Sequence, residues 1–164
     1  MISRKMTDAF NKQINAETYS SYLYLSMAGW FESTNLKGFA QWMRVQAQEE
    51  MGHAMKFFDH MVERGCKVAL GEIAAPPAKW DSPLAAFEDA YKHECKVSGM
   101  INDLADLAAV AKDHASSVFL QWFISEQVEE EAAAAEIVQK LKMLGEHKGG
   151  MFMLDRALGE RKTD

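Results

Sequence analysis

Four glutamates stand where the sequence calls for apolar residues. Around each of them apolar side chains recur every three or four positions, the spacing of the buried face of an α-helix. The four are Glu17, Glu50, Glu94 and Glu130. A buried carboxylate without a partner is costly, and no Lys or Arg falls on the same faces. Two divalent cations would balance four carboxylates, so the pattern predicts a site for a pair of metal ions.

A histidine strengthens this prediction. His53 follows Glu50 by three residues, and residues three apart are neighbours on one helix face. The motif E-x-x-H occurs often by chance, so its weight comes from the other three glutamates. A lone histidine on an apolar face is more often a core residue, but beside Glu50 we favour a metal ligand. The remaining histidines lie off the inward faces or near helix ends and are expected at the surface: His60, His93, His114 and His147.

The elements that must position these residues are helices. All three prolines fall within residues 76–83, and strand-like alternation of apolar and polar residues is absent from the flanks. The sequence therefore predicts an all-α fold in one domain over residues 1–164. The expected helices are residues 3–31, 36–64, 83–111, 114–144 and a short fifth helix, 150–159.

Connection lengths choose the topology. Helices one and two, and helices three and four, are joined by a few residues, which makes each pair an antiparallel hairpin. The loop at about 65–82 is long enough, at roughly 3.3 Å per extended residue, to span a 28-residue helix that rises about 1.5 Å per residue. The prediction is a four-helix bundle with one long crossover between helices 2 and 3. The four glutamates, each near mid-helix, would then meet.

Composition and charge limit the cellular location and the classes of binding partner that we expect. The 164 residues are 48% hydrophobic and 26% charged, as expected for one soluble domain, and no apolar stretch approaches the roughly 18 to 20 residues of a membrane span. The start of the chain does not resemble a secretory signal, so we expect a cytoplasmic protein. A net charge of −6 disfavours nucleic acid and favours cations. Two cysteines are too few for a disulfide framework, and Cys95 is expected in the core.

Three segments resemble prokaryotic non-haem ferritins: residues 15–24 (NAETYSSYLY), 47–53 (AQEEMGH) and 119–131 (FLQWFISEQVEEE). The resemblance extends over essentially the whole chain. It implies a ferritin-like bundle with ferroxidase activity, which oxidises Fe²⁺ with O₂ or peroxide at a two-iron centre within one subunit. It further implies storage of ferric oxyhydroxide in a homo-oligomeric cage, expected to have 24 subunits, and a possible electron donor for iron release.

The resemblance also implies ligands, position by position. The first iron would bind Glu17, Glu50 and His53. The second would share Glu50 as a bridge and use Glu94 and Glu130, with Gln127 close by. A third site would use four glutamates: Glu49, Glu126, Glu129 and Glu130. Tyr24 and Trp122 would lie near the centre, either as sources of extra electrons or as ordinary core aromatic residues.

The absence of a second E-x-x-H motif separates related classes of protein. Three residues after Glu94 and Glu130 stand Val97 and Ala133, so the second iron lacks a nitrogen ligand and is expected to be held more loosely. This disfavours a rubrerythrin-like di-iron peroxidase. A haem-containing bacterioferritin is the other alternative, suggested only by Met51, and no haem is expected. A DNA-protecting miniferritin and a purely structural bundle fit less well.

Overall fold

The chain folds into five α-helices in the computed structural model, which describes residues 2–162. Their bounds are α1 (Arg4–Ser33), α2 (Lys37–Glu63), α3 (Pro83–Val110), α4 (His114–Leu144) and α5 (Lys148–Leu158). No β-strand occurs in residues 2–162, and the all-α prediction is confirmed. The first helix ends two residues later than expected, and the fifth begins two residues earlier.

Three helices begin at side-chain caps that can be identified in the sequence. Ser3, Ser82 and Asp113 each precede a helix, and each side chain accepts a hydrogen bond from the backbone N–H three residues ahead. Such caps satisfy N–H groups that have no partner within the helix. Pro83 follows its cap at the first helical position, where its missing N–H costs nothing. These residues fix where α1, α3 and α4 start.

Helix α2 begins without a side-chain cap of its own, and α5 supplies one. Asp155 Oδ1 accepts hydrogen bonds from the backbone N–H groups of Gly38 (2.8 Å) and Phe39 (3.1 Å). The approach is so close that a Cβ atom on Gly38 would lie 1.6 Å from the Asp155 carbonyl oxygen. Glycine at this position therefore allows α5 to dock on the start of α2.

The apolar core forms two clusters at opposite ends of the bundle. One contains buried residues from the second half of α1 and the first half of α2, together with the start of α3 and the end of α4. The other contains the complementary halves of the four helices. Because α2 and α3 both start at the first cluster, they run parallel, and the chain between them must traverse the bundle.

The crossover follows α1 along its length. Side chains of α1 donate hydrogen bonds to backbone carbonyls of the crossover at three heights: Asn11 to Lys67 (3.3 Å), Asn15 to Glu72 (2.9 Å) and Ser26 to Pro77 (2.6 Å). The predicted ferritin-like bundle with one long crossover is thus confirmed. Among residues 2–162, no helix combines the length and the apolar character that crossing a membrane requires.

One expectation about the core is wrong. Cys95 is exposed, because it follows Glu94, and successive residues of a helix point about 100° apart. With the Glu94 side chain directed into the bundle, its neighbour is turned toward the outer surface of α3.

Candidate metal centre

Five charged or titratable residues are buried between the two apolar clusters. They are Glu17 on α1, Glu50 and His53 on α2, Glu94 on α3 and Glu130 on α4, and none is more than 6% exposed. The core clusters lie on either side of them along the bundle axis. Each glutamate occupies the inward face of its helix at mid-height, so the antiparallel packing brings the four together.

The five side chains form two overlapping groups. Ligand atoms of Glu17, Glu50 and His53 all lie within 4.8 Å of one another, and so do ligand atoms of Glu50, Glu94 and Glu130. His53 Nδ1 is 3.2 Å from Glu50 Oε2. Because Glu50 belongs to both groups, its carboxylate is placed to bridge two cations. The first group offers nitrogen and oxygen donors, whereas the second offers oxygen alone.

Burial of the carboxyl groups raises their pKa values. Desolvation, followed by the charge of Glu50, raises the pKa of Glu17 to about 8. Desolvation and the charge of Glu94 raise the pKa of Glu130 to about 7. The pKa values of Glu50 and Glu94 are raised as well, again chiefly by desolvation. Without cations the cluster must therefore hold protons near neutral pH, and bound cations would displace them.

Two buried glutamines orient carboxylates on α1, α2 and α4. Gln13 Nε2 donates to Glu17 Oε1 at 2.8 Å. Gln46 Nε2 donates both to Glu50 Oε1 (3.1 Å) and to Glu130 Oε2 (2.6 Å). Glu17 Oε2 is buried without a hydrogen-bond partner, although such atoms are normally satisfied. A carboxylate oxygen left in this state, among other oxygen and nitrogen donors, fits a cation ligand.

Tyr24 and Gln127 hold the two oxygens of Glu94. The buried Tyr24 hydroxyl donates to Glu94 Oε1, and Gln127 Nε2 donates to Glu94 Oε2 at 3.2 Å. Burial and the charge of Glu94 raise the pKa of Tyr24 well above its usual value, so the phenol keeps its proton. Gln127 presents its amide nitrogen to Glu94, which makes it a residue that orients this carboxylate.

Of the residues that the resemblance assigns to a third site, the structure brings only some together. Glu126 has a ligand atom within 4.8 Å of those of His53 and Glu130. Glu49 instead forms an ion pair with Arg161, and Glu129 is exposed and belongs to no such group within residues 2–162. Glu49 and Glu126 nevertheless line the same open pocket of about 450 Å³, into which His53 also projects.

Trp122 stands beside this pocket and is 41% exposed, so the core interpretation is wrong for it. Its ring centroid lies 5.3 Å from that of His53 and 4.4 Å from Lys56 Nζ. The position between a candidate ligand and solvent explains the exposure. Tyr24, in contrast, is a core residue.

Two further histidines are less exposed than expected. His93 is half-buried, with its Nε2 2.8 Å from Ser20 Oγ, and burial lowers its pKa to about 4. His60 stacks on Phe119 with ring centroids 3.9 Å apart, and burial lowers its pKa too. The prediction that both lie at the surface is wrong, because the His93 ring packs between α3 and α1 and the His60 ring packs between α2 and α4.

The roles of Gln13 and Gln46 were not predicted from the sequence. A signal for them was present, because each lies four residues before a candidate ligand, on the same helix face as Glu17 or Glu50. A buried amide at that spacing can donate to the carboxylate one turn later. Arg161, in contrast, gave no local signal, since it reaches the centre only through the docking of α5.

Comparison with known proteins agrees with this geometry. A family model described as "Ferritin-like domain" matches residues 7–144. The chain is 47% identical over 161 residues to a "Bacterial non-heme ferritin" of Bacteroides fragilis, covering 98% of this chain and 100% of the relative. It is 35% identical to the protein of that name from Escherichia coli O157:H7, covering 99% of each.

Solved structures give the same result. A closed form of Archaeoglobus fulgidus ferritin, engineered by site-directed mutagenesis, superposes with a TM-score of 0.99 at 54% identity over 100% of both chains. An open pore ferritin of the same archaeon gives 0.98 at 55% identity, over 99% of this chain and 100% of that one. The haem-containing and peroxidase alternatives are not favoured by these relatives. The chain belongs to the ferritin family, and the two bacterial relatives named above are non-haem ferritins.

Proposed function

We propose that this protein stores iron and that it oxidises Fe²⁺ at the buried cluster before storage. The observation that carries the proposal is the pair of ligand groups that share Glu50, buried at mid-height in one subunit. Family membership supports iron as the cation. Fe²⁺ is the substrate of this reaction, and O₂ or peroxide is the oxidant that accepts its electrons.

The donor set favours oxidation. Carboxylate oxygens are hard, negatively charged ligands, which bind Fe³⁺ more strongly than Fe²⁺, so Fe²⁺ held by them gives up an electron more readily. The shared Glu50 carboxylate would keep two ions adjacent. Gln46 donates to both Glu50 and Glu130 and thereby links the two ligand groups.

The two positions should differ in how tightly they hold an ion. His53 gives the first position a nitrogen ligand, whereas the second has only the carboxylates of Glu50, Glu94 and Glu130. The looser position suits an ion that leaves after oxidation. Glu126, near His53 and Glu130 and bordering the pocket of about 450 Å³, supports an exit through that pocket.

Storage also requires an enclosed space, and we propose a homo-oligomeric cage of 24 subunits. Apolar side chains along α1 and α2 support association of subunits through this surface, because each is at least 43% exposed: Tyr22, Leu25, Met51 and Met55. Light scattering of the purified protein measures the mass of the particle. A monomer would contradict this part of the proposal.

The test of the oxidation step is stopped-flow absorbance of ferric species after anaerobic Fe²⁺ loading and mixing with O₂. Glu50→Ala and His53→Ala should each abolish the fast phase without changing particle size. Glu136→Ala, an exposed glutamate of α4, and His114→Ala, an exposed histidine, are the matched controls and should retain it. A fast phase that persists in both Glu50→Ala and His53→Ala would contradict the assignment.

A further inference from the structure

The segment that follows α5 returns to α2 and brings an arginine to the mouth of the metal centre. Arg161 Nη1 donates to Gln46 Oε1 at 2.9 Å, and Nη2 donates to Glu49 Oε2 in an ion pair. The guanidinium carbon lies 4.3 Å from the ring centroid of Trp42. The Arg161 carbonyl accepts a 3.4 Å hydrogen bond from Gln41 Nε2.

These contacts define the position of the guanidinium. An exposed ion pair usually contributes little to stability, because solvent screens it and the side chains are mobile. Here the side chains of Arg161 and Glu49 are only 23% and 24% exposed, and the guanidinium is also held by an amide and an aromatic face. Arg161 is therefore a fixed positive charge beside Glu49.

The same contact orients Gln46. A guanidinium can only donate hydrogen bonds, so the Gln46 carbonyl oxygen must face Arg161 and the amide nitrogen must face the other way. That nitrogen donates one hydrogen bond to Glu50 and another to Glu130. Arg161 thus connects the end of the chain to two candidate ligands through a single amide.

We propose that Arg161 is a positioning residue that takes the place of a cation at Glu49 and thereby limits occupancy of a third cation position there. The inference rests on the proposed function, because it assumes the two buried positions next to it. A cation binding Glu49 must break the charge-assisted hydrogen bonds from Arg161 or bind beside its positive charge. Either outcome weakens binding, by about tenfold for one such interaction.

Calorimetric titration of the metal-free, assembled protein with Zn²⁺, a divalent ion without redox chemistry, tests this inference. Arg161→Gln should strengthen the weakest class of Zn²⁺ sites by about tenfold, and Arg161→Lys, which keeps the charge but lacks the two terminal nitrogens of the guanidinium, should strengthen it less. Arg156→Gln removes the same charge from an exposed position of α5 and should leave that class unchanged. In the Arg161→Gln background, Glu49→Gln should remove the gain.

Two results would overturn the inference: an Arg161→Gln variant with the wild-type affinity in its weakest class, or a gain that survives Glu49→Gln. A merely structural role for Arg161 would lower particle stability but would not produce a gain dependent on Glu49. Failure of the proposed function is distinguishable, since wild-type protein would then lack the tight Zn²⁺ class that Glu50→Ala removes.

Discussion

Glu17 should destabilise the metal-free protein increasingly as the pH rises, and Glu17→Gln should relieve this. Its pKa is about 8 in the folded protein, against an ordinary value of 4.5. Between these values the folded state binds more protons than the unfolded state, so stability falls as the pH rises from about 4.5 to about 8. At about 1.36 kcal/mol per pKa unit, the full effect is roughly 4 to 5 kcal/mol above about pH 8.

The expected gain from Glu17→Gln follows from the same linkage. Near pH 5 the raised pKa of Glu17 lowers the free energy of unfolding of the wild type by about 1 kcal/mol. The stability that Glu17→Gln gains over wild type should therefore grow by roughly 3 kcal/mol between about pH 5 and pH 8. The glutamine carbonyl can still accept the hydrogen bond from Gln13. For a domain of this length, 1 kcal/mol of unfolding free energy corresponds to roughly 2 to 4 °C in Tm. The difference in Tm between Glu17→Gln and wild type should therefore grow by about 6 to 12 °C from pH 5 to pH 8.

The assay is thermal unfolding of metal-free wild-type and variant protein at matched subunit concentration over this pH range. Glu136→Gln, at an exposed position that is ion-paired to Lys140, serves as the control and should show no comparable growth with pH. With saturating Zn²⁺ the advantage of Glu17→Gln should shrink or reverse, because a ligand has been lost. An equal gain at both ends of the pH range would refute the reasoning.

Three further variants test single contacts. Tyr24→Phe removes the donor that orients Glu94 and should weaken the second buried Zn²⁺ position several-fold in calorimetry; unchanged binding would contradict a role for the phenol. Gly38→Ala places a Cβ atom against the Asp155 carbonyl and should lower stability by about 2 kcal/mol or more in thermal unfolding, whereas wild-type stability would contradict the docking of α5. Asp113→Ala removes the cap of α4 and should cost about 1 to 2 kcal/mol in denaturant unfolding; a neutral effect would show that the cap is dispensable.

Much of the fold follows from local rules. Ser3, Ser82 and Asp113 mark helix starts because few other side chains satisfy the free N–H groups there. The clustering of the prolines within residues 76–83 leaves both flanks free to form long helices. Helix direction then follows from loop length, which is why the crossover could be predicted without coordinates.

The central carboxylates could be predicted for a different reason. A charge on an inward face violates the amphipathic pattern, so each of the four glutamates stands out from its own helix. The surrounding residues do not violate any local pattern. Glu49 is adjacent to a candidate ligand but is turned toward the pocket, and its partner Arg161 is 112 residues away in sequence. Such a contact depends on tertiary docking.

The most direct test of the central claim is anomalous diffraction from crystals of the metal-free protein soaked anaerobically in Fe²⁺. We expect two iron peaks in each subunit, one bound by Glu17, Glu50 and His53 and the other by Glu50, Glu94 and Glu130, with the second at lower occupancy. Iron bound only at surface carboxylates, with no peak inside the bundle, would contradict the account.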